Sequence, residues 1–147
     1  MLVDLTPGRS WGPARPRVRY VADVMVTRPK TLPAEASIGQ VRAKFDDDHI
    51  VMVLLVEGDV LRGTLVRDDV PSDAAAVAPA LPLARTTGRT VLPSESADVV
   101  FRWLVDSGQR RLAVVDGGDR LLGLICLTRR RTGFCTDEGI AARAADR

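Results

Sequence analysis

The sequence predicts an α/β fold: two copies of a β-α-β-β-α unit, packed as one compact pair about an approximate two-fold axis. Two observations carry that expectation, an internal repeat and the same order of apolar patterns inside each copy. Shifting the chain by 60 residues aligns Leu32, Pro33 and Glu35 with Leu92, Pro93 and Glu95. The same shift aligns Gly58, Asp59, Leu61 and Gly63 with Gly118, Asp119, Leu121 and Gly123. Matches from two separate blocks at one offset mark a duplicated unit. Between the blocks the register slips by one, so that Ser37, Val41 and Phe45 face Ser96, Val100 and Leu104. A unit of this size buries too little surface to be comfortable alone, whereas two can pack sheet against sheet around a shared core.

Each copy opens on a short extended piece, Lys30-Thr31-Leu32-Pro33 or Thr90-Val91-Leu92-Pro93. A helix follows. Ile38, Val41 and Phe45 lie on one helical face, and Ser37 with Gln40 has capping-box spacing. In the second copy Ala97, Val100, Phe101 and Leu104 form the stripe and Gly108 is the stop. The apolar runs Val51 to Val56 and Leu112 to Val115 are short and β-branched, as buried strands are. Glu57-Gly58-Asp59 and Asp116-Gly117-Gly118-Asp119 read as hairpin turns, returning through Val60 to Val66 and Arg120 to Cys126. A second short helix is expected after each return strand, from Arg67-Asp68-Asp69-Val70 and from Thr128-Arg129-Arg130. The expected organisation is therefore a flexible basic leader over 1–19, a first repeat over 20–73, a linker over 74–87, a second repeat over 88–132 and a tail over 133–147. The stretch 71–79 is expected to bring a short helix into the linker.

Composition narrows the function classes. The chain has 147 residues, 46% hydrophobic and 27% charged, and only 4% aromatic, so Val, Leu, Ile and Ala must build the core. No apolar run approaches a membrane span and the N-terminus carries no secretory signal, so the expected location is cytoplasmic. Residues 1–20 hold four arginines against Asp4, which leaves the rest of the chain close to neutral. That body offers no broad electrostatic footprint for nucleic acid. One histidine and two cysteines argue against an ordinary zinc site or a disulfide framework. Cys126 reads as an inert thiol on a buried strand, and Cys135 as an ordinary free thiol. Asp46-Asp47-Asp48-His49 reads as a solvated helix terminus, since consecutive residues point apart. No phosphate-binding glycine loop, nucleophile elbow or nucleophile-histidine pair is present, so no enzyme is expected.

Three stretches give the chain a resemblance to the cystathionine-β-synthase (CBS) domain family, whose domains occur in pairs. Val21-Ala22-Asp23-Val24-Met25-Val26-Thr27 is similar to the short helix that leads into the family's domain. Leu112 to Gly123 resembles its central hairpin. Gly63-Thr64-Leu65-Val66-Arg67-Asp68-Asp69 and Gly123-Leu124-Ile125-Cys126-Leu127-Thr128-Arg129 stand where the family has Gly-h-x-Thr/Ser-x-x-Asp. The resemblance covers roughly residues 20 to 132. It implies a sensory module with no required cofactor that binds an adenosine-containing ligand (AMP, ADP, ATP or S-adenosylmethionine) and signals to a partner protein.

The same resemblance assigns candidate sites. In the first copy Asp69 takes the position that accepts from the ribose hydroxyls, while Val66 replaces the hydroxyl residue. Thr27, Lys30, Thr31, Met52 and Val53 would form the wall, with Lys30 and Arg67 facing phosphate. The second copy puts Cys126 at the hydroxyl position and Arg129 at the ribose position. Arg89, Arg111, Thr128 and Arg129 would make a second site suited to a bare anion, because arginine cannot accept from a ribose. The competing expectation is an interaction or scaffold module of the same fold with decayed nucleotide sites. Either way a homodimer is expected, with Phe45, Phe101 and Trp103 as interface aromatics.

Overall fold

The computed structural model describes residues 19–128, 130 and 132–135. The expected leader before Arg19, Arg129 and the tail beyond Cys135 lie outside the described residues. The chain runs α1 (Val21–Val24), β1 (Thr31–Pro33), α2 (Ile38–Phe45), β2 (Met52–Glu57), β3 (Val60–Val66), β4 (Thr90–Val91), α3 (Ala97–Ser107), β5 (Arg111–Val115) and β6 (Leu121–Cys126). Two three-stranded sheets result, β1-β2-β3 and β4-β5-β6. In each, the first pair is parallel and the second an antiparallel hairpin. The repeat is thus a repeat of topology.

Local chemistry sets the helix ends as expected. The Ser37 hydroxyl accepts from the Gln40 N–H, and the Gln40 side chain accepts from the Ser37 N–H. Gly108 ends α3 with φ 77°, a left-handed conformation that glycine adopts without steric cost.

The strands are apolar on both sides because both faces are covered. Alternation sends Val53 and Leu55 towards α2, where they meet Ile38, Val41 and Phe45. It sends Met52 and Leu54 the other way, against Ala113 and Val115 of the second sheet. Leu112 and Val114 complete the pattern by packing on Val100 and Leu104 of α3. The two hairpins also bond to each other: the Leu61 N–H donates to the Asp119 carbonyl (2.9 Å) and the Leu121 N–H to the Asp59 carbonyl (2.8 Å). These reciprocal contacts give the pair its pseudo-two-fold symmetry.

Each repeat is completed by the segment that leads into the other. Val21 and Met25, at the opening of the first repeat in sequence, pack into the core of the second. Val21 donates to the Glu95 carbonyl, and Val26 exchanges backbone hydrogen bonds with Leu124 on β6 (2.8 and 2.9 Å). Conversely, Ala80, Leu81, Leu83 and Ala84 cover the α2 side of the first repeat, and Arg85 exchanges backbone bonds with Thr64 on β3 (2.8 and 2.9 Å). The chain crosses over twice.

This crossing accounts for two departures from the expected elements. The stretch 71–79 forms turns, not a helix, with a 3-10 turn at Leu81–Leu83. Its backbone is spent on α2: Gly39 donates to the Ala76 carbonyl, Ile38 to Ala78, and Ala80 to Ala36. The expected second helix of the first repeat shrinks to a 3-10 turn, Arg67–Asp69, since Val70 precedes Pro71 and is disfavoured in helical geometry. In the second repeat the chain instead folds back, with Leu127 bridging Phe134 and Cys135 donating to the Cys126 carbonyl (2.6 Å). The free-thiol expectation is overturned here: Cys126 and Cys135 are joined by a disulfide, both buried beside Val26.

Gly63 and Gly123 mark where the crossing segments come closest. A Cβ on Gly123 would sit 2.6 Å from the Val26 carbonyl oxygen, and one on Gly63 would overlap the Ala84 side chain. Backbone cannot yield as a flexible side chain can. Gly123→Ala is therefore expected to lower unfolding free energy by about 1–3 kcal/mol in urea titrations, the usual cost of overpacking. Gly117→Ala, with open space around the added methyl group, should change it little. Equal stability of the two variants would contradict the close approach.

Candidate functional site

The end of β3 and the start of β4 meet at a polar cluster between the repeats. Asp69, on the turn after β3, caps that turn by accepting from the Val66 N–H (2.8 Å). Its carboxylate also holds Arg89 in a two-pronged ion pair: Nη2 donates to Oδ1 at 3.1 Å and Nη1 to Oδ2. Arg85 Nε lies 3.9 Å from Oδ1. The Asp69 side chain is 6% exposed and that of Arg89 14%, whereas Arg85 is 68% exposed. Beneath them the buried Thr64 donates its hydroxyl to the Arg85 carbonyl (2.6 Å).

Burial pushes the Asp69 carboxyl up. The Arg89 hydrogen bond, the Val66 N–H and the charges of Arg89 and Arg85 outweigh it, so its pKa lies below the ordinary carboxylate value. The cluster is a buried carboxylate held ionised by Arg89 of the second repeat and Arg85 of the linker.

The expected site residues divide differently from the sequence reading. Asp69 sits at the cluster as a carboxylate acceptor. Met52 opens β2 opposite Val66 and faces the second sheet, but Val53 points to the α2 side, because adjacent strand residues cannot line one wall. Arg67 turns away: its guanidinium bonds the Asp47 and Ile50 carbonyls (both 3.1 Å) and lies over the Phe45 ring. Thr27 follows Val26, which the crossing ties to β6, so Thr27 belongs with the second repeat. Thr31 is exposed at the β1 edge, paired in register with Leu54 as Thr90 is with Ala113. Lys30 is the counterpart of Arg89 in that register. Arg89, not Lys30, joins Asp69.

The second repeat has a different chemistry at the matching positions. Arg111 stands where the first repeat has Met52; it is buried and its Nη1 donates to the Arg110 and Leu127 carbonyls (both 3.1 Å). Thr128 closes the loop by bonding Gly133 and Thr132. Arg129 lies outside the described residues. Arg111, from β5, and Thr128, within it, thus brace the loop that the disulfide shuts.

Thr64 and Arg85 do not emerge from a sequence in which each repeat is taken as self-contained. The signal was present: Gly63 and Gly123 occupy equivalent positions, and a backbone that approaches a glycine must come from somewhere. Among the described residues no group of carboxylates, histidine and cysteines could hold a metal ion, and no helix is long and apolar enough to cross a membrane.

No protein-family model and no curated protein matches the chain, whereas many solved structures do. A CBS domain protein from Pyrobaculum aerophilum complexed with AMP aligns with TM-score 0.62 and 20% identity, over 86% of this chain and 98% of that one. The cystathionine β-synthase pair domain of a Shewanella oneidensis MR-1 protein gives TM-score 0.66 and 19% identity, over 88% and 72% of the two chains. A CBS domain pair in complex with 5′-methylthioadenosine and S-adenosylmethionine gives 0.59 and 18%, over 88% and 98%. The fold is that of a tandem CBS domain pair.

The Asp69 pair has a pH signature. A carboxylate whose native pKa is depressed adds stability above its unfolded pKa and loses it as pH falls towards the native value. Chemical denaturation should show wild-type stability falling from about pH 5 downward, with a smaller fall in Asp69→Asn. At pH 7 that substitution, which strips a buried cation of its partner, is expected to cost about 3–5 kcal/mol. Identical pH profiles for the two proteins would refute the buried ion pair.

Proposed function

We propose that the chain is a regulatory module that binds an adenosine-containing ligand at the Asp69 cleft and passes the binding event to a partner protein. One observation carries the reading: the Asp69 carboxylate lies at the seam of the two repeats, where ribose hydroxyls could donate to it as Arg89 gives way. Arg85 and Arg89 offer cations for phosphate. The neighbours bound to AMP, 5′-methylthioadenosine and S-adenosylmethionine support the ligand class. The second cleft, with Arg129 at the ribose position and no equivalent carboxylate, is proposed as at most an anion site.

Thermal-shift and calorimetric titration with AMP, ADP, ATP and S-adenosylmethionine tests this. A ligand at one hundred times its Kd should add about 2.7 kcal/mol of stability. Asp69→Asn is expected to weaken that ligand by about tenfold to a hundredfold through loss of a charge-assisted bond, while Arg129→Ala leaves it nearly unchanged. No response to any of the four would favour the second reading, a scaffold of the same fold. The observation behind that alternative is that Arg89 already occupies Asp69.

We propose a homodimer as the working form. Of the three aromatics expected at an interface, Phe45 is buried against Arg67 and Phe101 packs edge-on against Phe134 at 5.6 Å. Trp103 remains, 42% exposed on α3 one turn beyond exposed Val99. Light scattering should give twice the 15.9 kDa chain mass, and Trp103→Glu should return it to the monomer value. A wild-type monomer would remove this element of the proposal.

A further inference from the structure

We propose that Arg89 is the specificity residue of the first cleft: by holding Asp69, it makes the cleft favour adenosine ligands with a phosphate over adenosine ligands without one. The inference rests on the adenosine-binding reading above and names which members of that class it admits. A carboxylate offers about four acceptor positions. Val66 takes one on Oδ2, Arg89 takes one on each oxygen, and Arg85 stands 3.9 Å from Oδ1. Two ribose hydroxyls need two. A nucleoside therefore reaches Asp69 only by displacing at least one prong of Arg89.

Displacement is costly because Arg89 is largely buried and a buried charge left unpaired is strongly unfavourable. A neutral nucleoside gives it nothing in return. A sulfonium ligand adds a positive charge beside Arg85 and Arg89. A phosphate matches the guanidinium fork, so the released Arg89 exchanges one anion for another, with Arg85 at hand as a second donor. The Thr64 carbonyl, 3.4 Å from Nη1, keeps the guanidinium at the cleft while it changes partner. The exchange also loosens the ion pair that joins the end of the first repeat to the start of the second, so the selected ligand is the one that relaxes the seam.

Calorimetric titration of the full chain with adenosine, S-adenosylmethionine, AMP and ADP tests the assignment, on wild type, Arg89→Gln and Arg89→Lys. Wild type should bind AMP and ADP about tenfold or more tighter than adenosine, one charge-assisted pair's worth. Arg89→Gln should close most of that gap from both sides, strengthening adenosine and weakening AMP. Arg89→Lys, which keeps the charge without the fork, should fall between them. If Arg89→Gln fails to fold, the Arg89→Lys ratio and the loss of wild-type preference in high salt decide the matter. Equal wild-type affinity for adenosine and AMP overturns the proposal, as does an unchanged ratio in the variants. Binding of none of the four compounds overturns this proposal together with the adenosine-binding reading, whereas equal binding of all four leaves that reading standing.

Discussion

Three strands with apolar side chains on both faces need two covers, and that constraint organises the molecule. One cover is the other sheet, through Met52, Leu54, Ala113 and Val115. The second is a helix of eight or eleven residues, too narrow to cover the remaining face by itself. The deficit is filled by chain borrowed from ahead of the opposite repeat, Val21 to Met25 on one side and Ala80 to Ala84 on the other. Borrowing brings a backbone against the third strand of each sheet, which is why that strand carries glycine at 63 and 123. It also sets Arg85 and Arg89 at the end of β3.

The two repeats share a topology and differ in charge at matching positions. In the duplicated sequence Asp69 corresponds to Arg129, Arg89 to Lys30, Val66 to Cys126 and Met52 to Arg111. The first repeat thus ends on a carboxylate that Arg89 neutralises, while the loop after β6 is closed by a disulfide. Such a bond is uncommon in reducing compartments. Its sulfurs pack on Val26, so the bond ties three pieces together: β6, the returning loop and the segment that leads into the first repeat.

Most of the fold was legible in the sequence because apolar periodicity and turn residues are local signals. The Ser37–Gln40 cap, the glycine stop of α3 and both hairpins follow from neighbours within a few residues. The crossing did not show, since nothing in Val21 to Met25 states which sheet that segment will cover. Taken repeat by repeat, the sequence therefore groups Thr27 and Lys30 with Asp69, and Arg89 with Arg129. Val53 was misplaced for a simpler reason, the two-residue period of a strand. Proximity in sequence suggests Arg67 as a phosphate ligand, but the Asp47 and Ile50 carbonyls after α2 and the Phe45 ring lie closer to hand. The disulfide joins residues nine apart through a chain reversal, and a reversal of that kind carries no periodic mark.

The double crossover also bears on how such a chain could have arisen. A single repeat standing alone would have a bare apolar face and a loose arm ahead of it. Two identical copies would satisfy both by exchanging arms, each arm closing the other subunit, which is domain swapping with two-fold symmetry. Joining the copies end to end preserves every contact of that swapped dimer and needs only a tether, here the turns from Pro71 to Pro79. Fusion then frees the halves to diverge. An Asp on one side of the axis no longer requires an Asp on the other, and the unlike charges at 69 and 129 record that freedom.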